Sequence, residues 1–150
     1  MACVLCCGWP AADTPVPAVT TPSHGTRKAV CCLIRQQRLS CSPSLARSYI
    51  SGITFSGGDP LFPGNREEIS ELCHEIRQKF PDKTIWLYTG YRWEEIKWLP
   101  FLDQIDVLID GRFVQAQADP QLHWRGSANQ RVIDVPRTLA ANSIVLHDDK

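Results

Sequence analysis

Apolar and polar positions fall into two regimes that meet near residue 50. From Ile50 to Phe55 apolar residues alternate with small or polar ones and β-branched side chains are frequent, which predicts a strand. Gly57-Gly58-Asp59-Pro60 closes it. Ile69, Leu72, Cys73, Ile76 and Phe80 then recur at helical spacing, with Asn65 and Glu68 spaced as a capping box before them and Pro81 after them. Cys73 lies on that apolar stripe and reads as a small core residue rather than a ligand. KTIWLY (83–88) predicts a second strand, RWEEIKWLPFL (92–102) a short helix broken at Pro100, and QIDVLIDGRFV (104–114) a third strand.

Strand, helix, strand, helix, strand implies βαβ units and a parallel sheet. Ligands gather at the carboxyl ends of such strands. Gly57-Gly58-Asp59, Thr89-Gly90 and Asp110-Gly111 all fall there, on one rim.

Residues 1–49 show no sustained period of either kind, and composition separates them from the rest. They hold six of the seven Cys, five of the eleven Pro and a single acid, Asp13, with two aromatics, Trp9 and Tyr49. Residues 50–150 read as a globular α/β domain; residues 1–49 read as an atypical segment that could be disordered. The formal net charge of zero gives no reason to expect nucleic acid or an anionic membrane surface. No apolar run approaches the ~20 residues of a membrane span, and the start lacks the basic region of a secretory signal. The location these features imply is cytoplasmic.

Glycine at a strand end removes the Cβ and permits positive φ, so a ligand can approach the backbone. Asp59 could then accept a hydrogen bond from a cationic group. Taken alone, Gly-Gly-Asp-Pro is more commonly a tight βα turn with a capping aspartate.

GITFSGGDPLFPGN, IWLYTGY, VLIDGRFV and DPQLHWRGSANQRVIDV, in that order and spacing over roughly residues 50–137, resemble the anaerobic ribonucleotide reductase activating proteins. These are small radical S-adenosylmethionine (SAM) enzymes. The resemblance implies a partial parallel (βα) barrel. It also implies that Ser56, Gly57, Gly58 and Asp59 form the turn meeting the amino group of SAM, with Thr89 and Asp110 as further pocket residues. WRGSANQ (Trp124 to Gln130) is also similar to the family, with a role either in packing the sheet edge or in touching a partner. The implied cofactors are SAM and a [4Fe-4S] cluster. The implied partners are the catalytic subunit of the reductase, on which a glycyl radical is generated, and an electron donor.

The family needs three cysteines spaced C-x3-C-x2-C, followed by Tyr-Asn, because three thiolates leave one iron open for SAM. Cys3, Cys6, Cys7, Cys31, Cys32 and Cys41 offer no such spacing, so no catalytic residue and no metal ligand is assigned, and the first cluster-binding strand and loop are expected to be disrupted. A shifted reading frame accounts for the loss. Reading each codon's third base with the next codon's first two, Ala11/Ala12, Pro15/Val16 and Ala18/Val19 permit Cys, and Val19/Thr20 and Thr20/Thr21 permit Tyr and Asn. The permitted string is G-C-R-Y-T-C-P-G-C-Y-N, and residues 2–10 become a permitted apolar strand, M-R-T-V-L-W-L-A-G. The frame returns near Ser42 to Arg47. An organelle transit peptide fits six Cys and five Pro poorly. A zinc site lacks a second pair at ligand spacing beside Cys3 and Cys6. Besides the activating enzyme, two functions remain open: an inactive remnant without cluster ligands, and an activator of another glycyl-radical enzyme such as pyruvate formate-lyase.

Overall fold

Five strands line up in chain order in one sheet in the computed structural model, which describes residues 3–9 and 45–148. They are β1 (Cys3–Trp9), β2 (Ile50–Gly57), β3 (Thr84–Tyr88), β4 (Val107–Asp110) and β5 (Arg131–Asp134). Neighbours from β1 to β4 run parallel, and β5 pairs antiparallel with β4. Helix α1 (Arg66–Lys79) joins β2 to β3. A one-turn helix α2 (Trp93–Ile96) and a 3-10 helix (Pro100–Gln104) join β3 to β4, and α3 (Val135–Ala141) follows β5. The class is α/β.

Strand alternation divides the apolar residues between two faces. Ile53, Phe55, Ile85, Leu87, Leu108 and Ile133 meet Ile69, Leu72, Cys73 and Ile76 of α1 and the 3-10 residues Phe101 and Leu102 in the main core. Each fully buried aliphatic or aromatic side chain contributes about 1.5–3 kcal/mol. Val107, Ile109 and Val132 form a smaller cluster with Trp86 and Tyr88 packed against it. Trp124 and His147 cover Trp86, their rings centred 5.0 and 5.3 Å from its own.

Helix α1 carries Glu67 and Glu68 in its first turn and Arg77 and Lys79 in its last, matching the helix dipole at both ends. Arg77 then ties the helix to the sheet. Its guanidinium donates to the Gln104 and Lys83 carbonyls and to Asp106 Oδ2, whose other donor is the Ile85 N–H.

Four expectations are corrected. The first 49 residues do supply a first strand: β1 pairs with β2 from Cys3↔Ile50 to Trp9↔Gly57. A parallel strand reads as a continuous apolar run rather than a periodic one, as CVLCCGW does. Residues 10–21, where the cluster-binding loop is expected to be disrupted, and Cys31, Cys32 and Cys41 lie outside the described residues. Second, the ordered core begins before Ile50, since Leu45 is 1% exposed and belongs to it. Third, Asn65 is not a side-chain cap. Its backbone is already helical, because successive turns from Asp59 run straight into α1, and its amide donates instead to the Asp59 carbonyl. Fourth, the stretch 104–114 is a strand only over Val107–Asp110, and the last strand is antiparallel.

Candidate functional site

The strand-end turns converge on an open cleft of about 130 Å³ lined by Gly57, Asp59, Tyr88, Thr89, Gly90, Gly111, Phe113 and Gln130. Two of its glycines adopt left-handed backbone, Gly57 at φ 105° and Gly111 at φ 95°. These conformations turn the chain sharply off β2 and β4, and other residues adopt them at a cost.

Asp59 organises the cleft. Its Oδ1 accepts from the Leu61 N–H (2.9 Å) and the Thr89 hydroxyl (2.8 Å), and its Oδ2 from the Gly90 N–H (2.8 Å). The Thr89 hydroxyl in turn accepts from the Tyr91 N–H at 3.2 Å. One carboxylate therefore locks the β2 and β3 turns together while keeping its negative charge in the cleft wall.

Gln130 does the same for the far wall. Its Oε1 accepts from the Gly126 and Ser127 N–H groups and its Nε2 donates to the Gly111 carbonyl. Buried Ser127 accepts from the Val114 N–H, and Asn129 donates to the Arg112 carbonyl. The 124–130 block is thus a hydrogen-bonded brace over the end of β4. Trp124, at φ 64°, packs on Trp86 and accepts at its carbonyl from the Tyr88 hydroxyl.

Of the six residues singled out from the sequence, Gly57, Asp59 and Thr89 meet in the cleft. Ser56 stands one residue before the end of β2 and Gly58 follows in the turn, but neither lines it. Asp110 points away. It is 1% exposed and its carboxylate accepts from the Trp93 N–H at the start of α2 and from both Nε and Nη2 of Arg131. Arg131 also grips Glu94 with two bonds of 3.0 and 3.1 Å. These carboxylates hold the Arg131 pKa above its ordinary value, Asp110 most strongly, and the bond to Arg131 holds the Glu94 carboxyl below its own. The sequence singles out the 124–130 block, for packing the sheet edge or touching a partner, but gives no sign of the Glu94–Asp110–Arg131 triad. The triad's bonds join residues 17 to 37 positions apart, which leaves no local signal.

The described side chains do not fit a three-thiolate cluster. Among them the one cysteine is Cys73, wholly buried in α1, whose thiol burial pushes up to about 12 against a weaker opposing pull from Arg77. A cluster ligand must be a thiolate. No group of three or more His, Cys, Asp or Glu among the described residues is placed to hold a metal ion. Cys3, Cys6 and Cys7 stand on β1, opposite Ile50, Thr54 and Phe55. Among the described residues no helix is long and apolar enough to cross a membrane.

A family model for a 4Fe-4S single cluster domain matches residues 30–133. The chain is 52% identical over 88 residues to a protein of Enterobacteria phage T4 named anaerobic ribonucleoside-triphosphate reductase-activating protein, covering 59% of this chain and 56% of that one. Proteins of the same name from Haemophilus influenzae and Escherichia coli K12 are 52% identical over 81 residues and 49% identical over 83. Those matches cover 53% and 54% of this chain and 52% and 54% of the relatives. The chain thus spans about half the length of the curated relatives it matches. No solved structure matches it.

Proposed function

This chain belongs to the family of 4Fe-4S single cluster domains, and from that premise we propose that it is an activating protein of an anaerobic ribonucleotide reductase. In this reading it is a cytoplasmic radical SAM enzyme with a partial (βα) barrel, acting on a glycine of the reductase's catalytic subunit. The observation that carries the reading is the cleft at the strand ends. Its ~130 Å³ is small beside the roughly 300–1,000 Å³ of a complete small-molecule site, and suits the compact amino-acid end of SAM. Gly57, Gly90 and Gly111 leave room for that end against the backbone, and Asp59 places a negative charge beside its ammonium group. Thr89 fixes the direction of that carboxylate. Ser56 and Gly58 shape the turn, and Asp110 acts from behind by anchoring α2.

A further support is the position of β1. Trp9 pairs with Gly57, so the chain leaves the first strand on the same rim as the cleft. The segment 10–21, where the shifted frame permits three correctly spaced cysteines, starts at that point.

One observation favours a second reading, a SAM-binding remnant without activating chemistry: the cysteines as written lack C-x3-C-x2-C, and Cys73 is unavailable. The nucleotides of codons 11–21 separate the two. Cys codons in the shifted frame support the active enzyme, and Arg, Gly or Ser codons at those positions support the remnant.

Equilibrium dialysis with labelled SAM tests the cleft itself. Gly90 needs no left-handed backbone, and a Cβ there would lie 3.3 Å from Asp59 Oδ2, so Gly90→Val crowds the site while the strand stays intact. The expected outcome is at least a roughly tenfold loss of affinity, the scale of one good contact, with the circular dichroism of the wild type. Equal SAM binding by both proteins would place the site elsewhere.

A further inference from the structure

Arg66, the first residue of α1, is held in one position from three sides. Its Nε donates to the Leu61 carbonyl at 2.7 Å, and its guanidinium carbon lies 5.5 Å from the Tyr91 ring centre and 5.3 Å from that of Trp98. Stacking between two rings removes most of the side chain's rotamer freedom. Among the described residues neither Nη nitrogen has an acceptor. A half-buried cation with its terminal donors unsatisfied is arranged for an anion that approaches end-on. Trp98 is 63% exposed beside it, and Phe62, next to Leu61, is 41% exposed.

The stack is continuous with the cleft. Leu61, which accepts from Arg66, donates its N–H to Asp59 Oδ1, and Tyr91 donates to the Thr89 hydroxyl and accepts from the Gly111 N–H. Whatever binds Arg66 therefore sits next to the strand-end opening. Glu67 follows Arg66 on α1, and Glu94 and Glu95 of α2 lie between Tyr91 and Trp98 along the chain beside Arg92 and Lys97. The surroundings therefore do not favour a polyanion, while a single carboxylate flanked by apolar side chains matches one cation set among aromatic faces. Trp, Tyr and Arg are also the side chains that most often dominate protein interfaces.

We propose that the Arg66–Tyr91–Trp98 stack is a docking point for a carboxylate-bearing segment of the partner reductase, delivering its polypeptide to the cleft. This rests on the reductase assignment made above.

The test is the affinity of the full chain for the anaerobic ribonucleoside-triphosphate reductase of its source organism, measured at low and high salt. Wild type is compared with Trp98→Ala, Arg66→Met and, as a control on α3, Leu139→Ala. Trp98→Ala and Arg66→Met should each weaken binding roughly tenfold or more, and Leu139→Ala should not. Binding by wild type should weaken with salt, and Arg66→Met should lose most of that dependence. If wild type does not bind the reductase, the partner assignment itself fails. If it binds and both patch variants bind equally well, the docking site alone is wrong. A salt response in Arg66→Met equal to wild type overturns the carboxylate. Because Trp98 is largely exposed, Trp98→Ala decides the matter even if Arg66→Met fails to fold.

Discussion

Cys73 shows what burial does to one titratable residue. Its thiol ionises near 12 in the folded chain against an ordinary 9.0, because α1 seals it in the core. Between those values the unfolded chain has released a proton that the folded chain keeps, so stability is complete below pH 9 and falls as pH rises towards 12. The gap sets a ceiling of about 4 kcal/mol on the loss. Cys73→Val keeps an apolar side chain there and removes the proton. Urea denaturation at pH 8 and pH 11 should show a smaller alkaline loss for the variant, and equal losses would mean that the thiol is not protonated in the folded state. Glu94 has the opposite sign. Held below its ordinary value by Arg131, it favours the folded state above the usual carboxylate range and loses that effect in acid, weakly, because its side chain is largely exposed.

Between neighbouring elements, the β2–β3 register depends on an absence of side chain. A Cβ on Gly52 would stand 2.2 Å from both the carbonyl oxygen and the hydroxyl of Thr84, its register partner. Gly52→Ala should destabilise the protein by about 1–3 kcal/mol, the usual cost of overpacking. A chemical-denaturation midpoint within error of wild type would show that the two strands can part there without cost. This contact was invisible in the sequence, where Gly52 is one small residue within an alternating run. The elements that were legible are those with enough length to show a period: β2, β3 and α1, whose buried residues are the Ile69, Leu72, Cys73 and Ile76 read from spacing. β5 and α3, at four and seven residues, are too short for that. The site divided in the same way. The glycine and aspartate turns announce Gly57, Asp59 and Thr89, and Gln130 falls in the 124–130 block, whereas Phe113 reaches the cleft from beyond the end of β4, where no period marks it.

For the molecule as a whole, the question is whether β1 belongs to the fold of the domain from residue 45 onward. The register over Cys3–Trp9 says that it does. A protease site inserted after Gly25 and then cut should leave the N-terminal fragment bound to the remainder on gel filtration, through the parallel ladder and the apolar run of β1. Separation of the two pieces would show that the ladder does not hold them. Deleting residues 1–9 should lower solubility by exposing the β2 edge. The same topology has a consequence in time. β1 is synthesised before the described strand it pairs with, since 40 residues separate the end of β1 from the start of β2. At about 5–20 residues per second, the ribosome takes roughly 2–8 s to make that interval. For those seconds CVLCCGW waits for β2, and the nascent chain offers an apolar, thiol-rich segment to chaperones and oxidants before that partner exists to take it in.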